Sequence, residues 1–167
     1  NTMSFDEYVD LRKYHLLFTT VFNGSVFRET SKLIRDYDLD PIQFLSLLYD
    51  RLNSLANGKS EDDLSPSKTI AEFVMKTRGE LFKSPESLIE FYSEKSNYAK
   101  LKDGRIGENL LQVHRLKLLM RLGQFTDTVL NVLKEYLEET GNSVGSGELE
   151  LFSYVQKRAD CFEKLIT

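Results

Sequence analysis

The chain has 167 residues, 22 Lys and Arg against 26 Asp and Glu, and a formal net charge of −4. Hydrophobic residues make up 41% and charged residues 29%, ordinary for a globular protein that buries a core without staples. A single cysteine excludes an intrachain disulfide and any cysteine-held zinc or iron–sulfur centre, and the acidic balance gives no broad field for nucleic acid.

The start, Asn1 to Tyr8, lacks the basic region and apolar core of a signal peptide. No apolar run is long enough for a membrane span, so no membrane role and a cytoplasmic location are expected. Asn1 and Thr2 precede Met3 and read as residues added ahead of a fragment. The expectation is one helical domain over 3–167, cut from a larger multidomain protein.

The first helix is expected from Phe5 to about Phe22. Ser4 caps it, and Glu7 completes a capping box. Tyr8, Leu11, His15, Phe18 and Phe22 recur at three- and four-residue spacing on one face. Asn23-Gly24 ends the helix. Ser25 is the next candidate cap, ahead of a helix to about Asp36 with Phe27, Thr30, Leu33 and Ile34 inward. Asp40-Pro41 opens the third helix, proline filling the first helical position where its missing N–H costs nothing. Ile42, Leu45, Tyr49 and Leu52 line that helix to about Ala56.

Residues 57–65 form an exposed linker. Ser65-Pro66 opens a fourth helix with Ile70, Phe73 and Val74, ended or interrupted at Gly79. Ser84-Pro85-Glu86 opens a fifth with Leu88, Ile89 and Tyr92. The stretch 96–107, with two glycines among charges, reads as a loop. From Glu108 to Leu122 the sequence is apolar around much of a helix and predicts the most central element, ended by Gly123. A seventh helix runs from about Thr126 to Glu139. After the connector 141–147, the last runs from Glu148 to about Leu165 on Phe152, Val155, Ala159 and Phe162.

No segment alternates as a strand. The sum is an all-α, irregular bundle of about eight helices in orthogonal or hairpin-like packing. Cap–proline starts also leave an irregular helical-hairpin solenoid open.

Chemistry-bearing motifs are scarce. There is no phosphate-binding glycine loop, metalloprotease motif or calcium loop. Asn23-Gly24-Ser25 matches a glycosylation acceptor, but turn plus cap explains it better. His15 on the first helix reads either as a half-buried, bonded histidine or as a pocket residue meeting a ligand or partner. His114 offers the same pair of readings. An acid–base site shared between the two would need a third group that the sequence does not name.

Cys161 reads as a small thiol in a packing face, or as an activated thiol near Lys157 and Arg158. Glu61-Asp62-Asp63 is a solvated loop without the order of a calcium site. Arg12, Lys13, Arg28 and Arg35 are surface charge, or a docking face for an acidic partner or for a phosphate-bearing cofactor held by another domain. Arg115, Lys117 and Arg121 pose the same question, and the like-charge pair Lys117/Arg121 is more comfortable facing an acid.

Residues 11–34, LRKYHLLFTTVFNGSVFRETSKLI, resemble the helical C-terminal region of cobalamin-binding radical-SAM proteins. The residues that carry the resemblance are Leu11, Arg12, His15, Leu16, Phe22, Asn23, Gly24, Phe27 and Arg28, followed by Leu39 to Phe44. The pattern's tyrosine has no counterpart, since Phe22 directly precedes Asn23. In that family a [4Fe-4S] cluster sits on a CxxxCxxC motif in a barrel domain, where S-adenosylmethionine is used, and cobalamin sits in a Rossmann-like domain. None of those ligands has a position here.

The resemblance implies a non-catalytic accessory domain that braces or caps upstream catalytic domains of its own polypeptide, with the cofactors in the parent and none in this chain. The alternative is a self-contained helical interaction module. An exposed apolar patch around Tyr8, Tyr14 and Phe22 would mark docking in either case. The candidate docking or pocket residues are therefore Arg12, His15, Phe22, Arg28 and His114.

Overall fold

The computed structural model describes residues 3–56 and 64–166. Among the described residues there are nine helices and no strand: α1 Phe5–Val21, α2 Arg28–Asp36, α3 Pro41–Ala56, α4 Pro66–Glu80, α5 Pro85–Ser93, α6 Lys95–Lys102, α7 Leu110–Met120, α8 Leu122–Glu139 and α9 Ser146–Ile166. The fold is all-α. No helix is long and apolar enough to cross a membrane. Most of the linker expected at 57–65, with its Glu61-Asp62-Asp63 run, and the Asn1-Thr2 start lie outside the described residues.

Local signals place most helix starts. Ser4 and Glu7 form the expected capping box. Asp40 Oδ1 accepts the N–H of Ile42 at 2.7 Å at the head of α3, and the hydroxyls of Ser65 and Ser84 cap α4 and α5 ahead of their prolines. Ser25 does not cap α2. Phe27 occupies that place without a side-chain cap, because its ring is drawn into the core edge-on to Phe125 at 5.7 Å. The Arg158 guanidinium then locks the turn, bonding the Val26 carbonyl and forming a forked pair with Glu29 at 2.9 and 2.6 Å.

The core differs from the expected layout at its centre. Helix α8, not α7, is the most buried, contributing Leu122, Phe125, Val129, Leu130, Val132, Leu133, Tyr136 and Leu137. It packs on α3 and α9. On α7 only Leu110, His114 and Leu118 are buried, while Leu116 and Met120 face solvent. Leucines around the whole circumference make α7 apolar, but its cations at Arg115 and Lys117 keep much of it at the surface.

Gly123 does not end α7. A single residue, Arg121, separates the two helices, and Gly123 is buried in the first turn of α8. Here carboxylates of α9 reach the α8 backbone, and a Cβ would lie 2.6 Å from Asp160 Oδ1. The Gly123 N–H donates to Glu163 Oε2 at 2.6 Å, and its carbonyl accepts from Gln156 Nε2 at 3.0 Å. The glycine leaves room for these side chains and does not break the helix.

The stretch 96–107 is also not a loop throughout: it holds most of α6. Its first glycine closes that helix. Gly104 has φ +70, and the Arg105 and Gly104 N–H groups return to the carbonyls of Lys100 and Leu101 at 2.8 and 3.1 Å. Helix α2 ends in the same way, but with Asp38 at φ +52 in the left-handed position.

Two stability outcomes follow. Phe27→Ala removes a fully buried ring and is expected to cost about 3–5 kcal/mol in urea unfolding. Asp38→Gly relieves a left-handed side chain and is expected to raise stability by roughly 0.5 kcal/mol, read as a higher melting midpoint.

Candidate docking groove

Helix α1 has two apolar faces. Val9, Leu16, Leu17, Thr20 and Val21 enter the core. Tyr8, Leu11, His15, Phe18 and Phe22 lie on nearly the opposite side, since 100° per residue puts the two sets about half a turn apart. The stripe picked out by its regular spacing is therefore the outer face, not the packed one. Tyr8 is 41% exposed, Leu11 51% and Phe18 41%. Their alternating three- and four-residue steps are those of a coiled-coil seam, in which such residues seat into the holes of a second helix.

The floor beside this stripe comes from the start of α3. Ile42, 63% exposed, and the buried Leu45 join Tyr8, Leu11, Arg12, Tyr14, His15 and Phe18 around a hollow of about 460 Å³. Phe18 is shared with a second hollow of about 460 Å³ walled by Phe22, Ile34, Arg35 and Leu39. The two hollows adjoin at Phe18 and together form a groove. Its walls are fixed from behind by aromatic contacts: Phe22 packs on Phe18 at 5.3 Å and edge-on to Phe44 at 6.5 Å. Nearby, Tyr14 meets Tyr49 at 6.2 Å, with the Lys13 ammonium 4.2 Å from the Tyr49 ring centre.

Three of the five residues singled out from sequence meet here. Arg12 and His15 line the first hollow and Phe22 the second. The His15 ring is exposed rather than half-buried. Arg28 lies elsewhere, exposed beside Glu29, Leu122 and Arg158. Tyr8 and Tyr14 line the groove too, where an apolar patch is expected; Leu11 and Ile42 join them, and their spacing reads the same for an outward stripe as for an inward one.

His114 is fully buried on α7. Its Nδ1 bonds the Leu110 carbonyl at 2.8 Å and its ring packs edge-on to Phe73 at 5.3 Å. Nε2 has no hydrogen-bond partner and stands 3.7 Å from Glu72 Oε2. Burial pulls the imidazole below its ordinary pKa, although the Leu110 bond and the Glu72 charge oppose it. Burial raises Glu72 in turn, but its bonds to Lys117 and Lys76 win, and the carboxyl lies below the usual range. Lys117 thus has the acidic neighbour expected of it, at 2.6 Å. No contact joins His114 to His15.

A hollow of about 760 Å³ lies between α3, α4, α8 and α9. Of its acids, Asp160 accepts from Gln156, Glu163 from the Gly123 N–H and Asp127 from Asn131. Cys161 is exposed on α9, not part of a packing face, and neighbouring Arg158 is committed to Glu29. Among the described residues no group of three or more His, Cys, Asp or Glu is placed to hold a metal. Comparison with protein-family models, curated proteins and solved structures finds no match.

The histidine gives a pH signature. Folding lowers the His114 pKa below its ordinary 6.5, so the unfolded chain takes up the proton more readily. Stability is expected to fall as pH drops below about 6.5, levelling off once the folded-state pKa is passed. Urea midpoints at pH about 7.5 and about 5 measure it, above the range where carboxylates titrate. His114→Gln is expected to flatten that difference; an equal difference in the variant rules His114 out as its source.

Proposed function

We propose that this chain is a non-catalytic accessory domain that docks by the outer face of α1 onto the catalytic domains of its parent, a cobalamin-dependent radical-SAM enzyme. The observation that carries the docking half is the two-faced α1, whose second apolar stripe has the spacing of a helix-packing seam and is left uncovered. The resemblance over Leu11 to Arg28 supports the choice of parent, since it runs along the same stripe into the turn after it. On this reading the [4Fe-4S] cluster, S-adenosylmethionine and cobalamin belong to the parent, which works in the cytoplasm. The domain supplies position: it braces the catalytic domains or caps their opening.

A self-contained interaction module is the second reading. The same groove favours it, because a seam accepts an amphipathic helix of any polypeptide.

Two measurements separate these. The first is the natural reading frame: a barrel and a Rossmann-like domain upstream support the accessory domain, and a frame starting at Met3 rejects it. The second is titration of this chain against those separately produced domains. Leu11→Asp with Phe18→Asp is expected to weaken binding at least about thirtyfold, as two apolar anchors lose some 1.5–3 kcal/mol each at most. The thermal midpoint is expected to stay within a few degrees, since both side chains face out. Undiminished binding by the double variant rejects the seam as the docking face.

A further inference from the structure

Helices α5 and α6 bury no residue. They pack chiefly on each other, and Phe82, just ahead of α5, folds onto Phe91 and Tyr92 of α5 with ring centres 5.1 to 5.9 Å apart. Lys83 lies 5.9 Å from the Phe5 ring and ties the hairpin's base to α1. The hairpin otherwise stands at the edge of the fold with two bare faces.

Those faces are opposite in charge. On α5, Glu86, Ile89, Glu90 and Ser93 share one side; on α6, Lys95, Tyr98, Ala99 and Lys102 do. Each face has one large apolar side chain between like charges: Ile89 is 66% exposed and Tyr98 59%. Helix α5 contains no base and α6 no acid. Among the described residues none of Glu86, Glu90, Lys95 or Lys102 enters an ion pair, although bridges form widely elsewhere on the molecule.

Local helix energetics accounts for only half of this pattern. Glu86 at the start of α5 and Lys102 at the end of α6 suit the helix dipole. Glu90 in the last turn of α5 and Lys95 in the first turn of α6 oppose it. An acidic face and a basic face of equal length, each built around one exposed apolar side chain, are complementary to each other.

The geometry points to a second copy of this chain as the occupant, α5 of one copy lying on α6 of the other. Ile89 then meets Tyr98, with Glu86 and Glu90 against Lys95 and Lys102. A two-fold axis makes the same contact twice, and its short helices make the association weak and salt-sensitive. This is independent of the groove on α1.

Charge reversal tests it by sedimentation velocity over a concentration series. The wild-type chain is expected to approach twice the monomer mass at high concentration. Glu86→Lys with Glu90→Lys, and separately Lys95→Glu with Lys102→Glu, are each expected to raise the dissociation constant at least about tenfold. Circular dichroism melts check that both variants fold. Mixing the two restores opposite charges at both contacts and is expected to recover the dimer. A wild-type chain monomeric at about 500 µM overturns the proposal, as does association that ignores the reversals or a mixture that stays monomeric.

Discussion

The bonding of α9 side chains to the first turn of α8 is the contact on which the arrangement depends. With no side chain at Gly123, the backbone there bonds directly to Glu163 and Gln156 of α9. That seats α9 along α8 and brings Arg158 within reach of Glu29 and the Val26 carbonyl. The clamp holds the turn between α1 and α2, and Phe27 can then press on Phe125 at the centre. Each step fixes the next, from a glycine on α8 to the exit of α1.

Once that exit is fixed, the roll of α1 is decided. Leu16, Leu17 and Val21 are committed to the core, so the residues half a turn away must look outward. Exposing Tyr8, Leu11 and Phe18 together is unfavourable for an isolated molecule. The arrangement is tolerated because the inner face already supplies burial, and it makes sense when something covers the outer one. Rigid walls help. Phe22 backed by Phe44, and Tyr14 by Tyr49, leave the groove little to reorganise on binding.

Signals confined to one turn were legible in the sequence. Ser4, Asp40, Ser65 and Ser84 start helices where their hydroxyl or carboxylate chemistry says they should. The all-α class followed from the same patterns. What periodicity does not reveal is which way a face points. The stripe through Tyr8, Leu11 and Phe18 reads identically whether packed or bare, and the hidden clue was the second set of apolar residues on the same helix.

Glycine was the other source of error, since one residue type serves several needs. Gly104 ends a helix, Gly123 leaves room for side chains of another helix, and neither marks an extended loop. Hydrophobicity around the whole of α7 does not amount to burial, and α8 is the more buried helix. The pattern of wide, regular apolar steps on α8 from Leu122 to Leu137 is the better measure, and it was present in the sequence. Of the candidate residues, Arg12, His15 and Phe22 fell at one place because they lie along one stripe of one helix. Arg28 and His114 lie on other elements, and no local rule relates them to it.

The separation of duties on α1 also bears on how such a domain changes over generations. Residues that hold the helix in place and residues that meet the outside are interleaved in sequence but lie on opposite sides of the helix. Substitutions on the outer stripe can accumulate with little penalty to folding. A lineage can therefore alter the chemistry of this surface, one side chain at a time, without passing through forms that fail to fold.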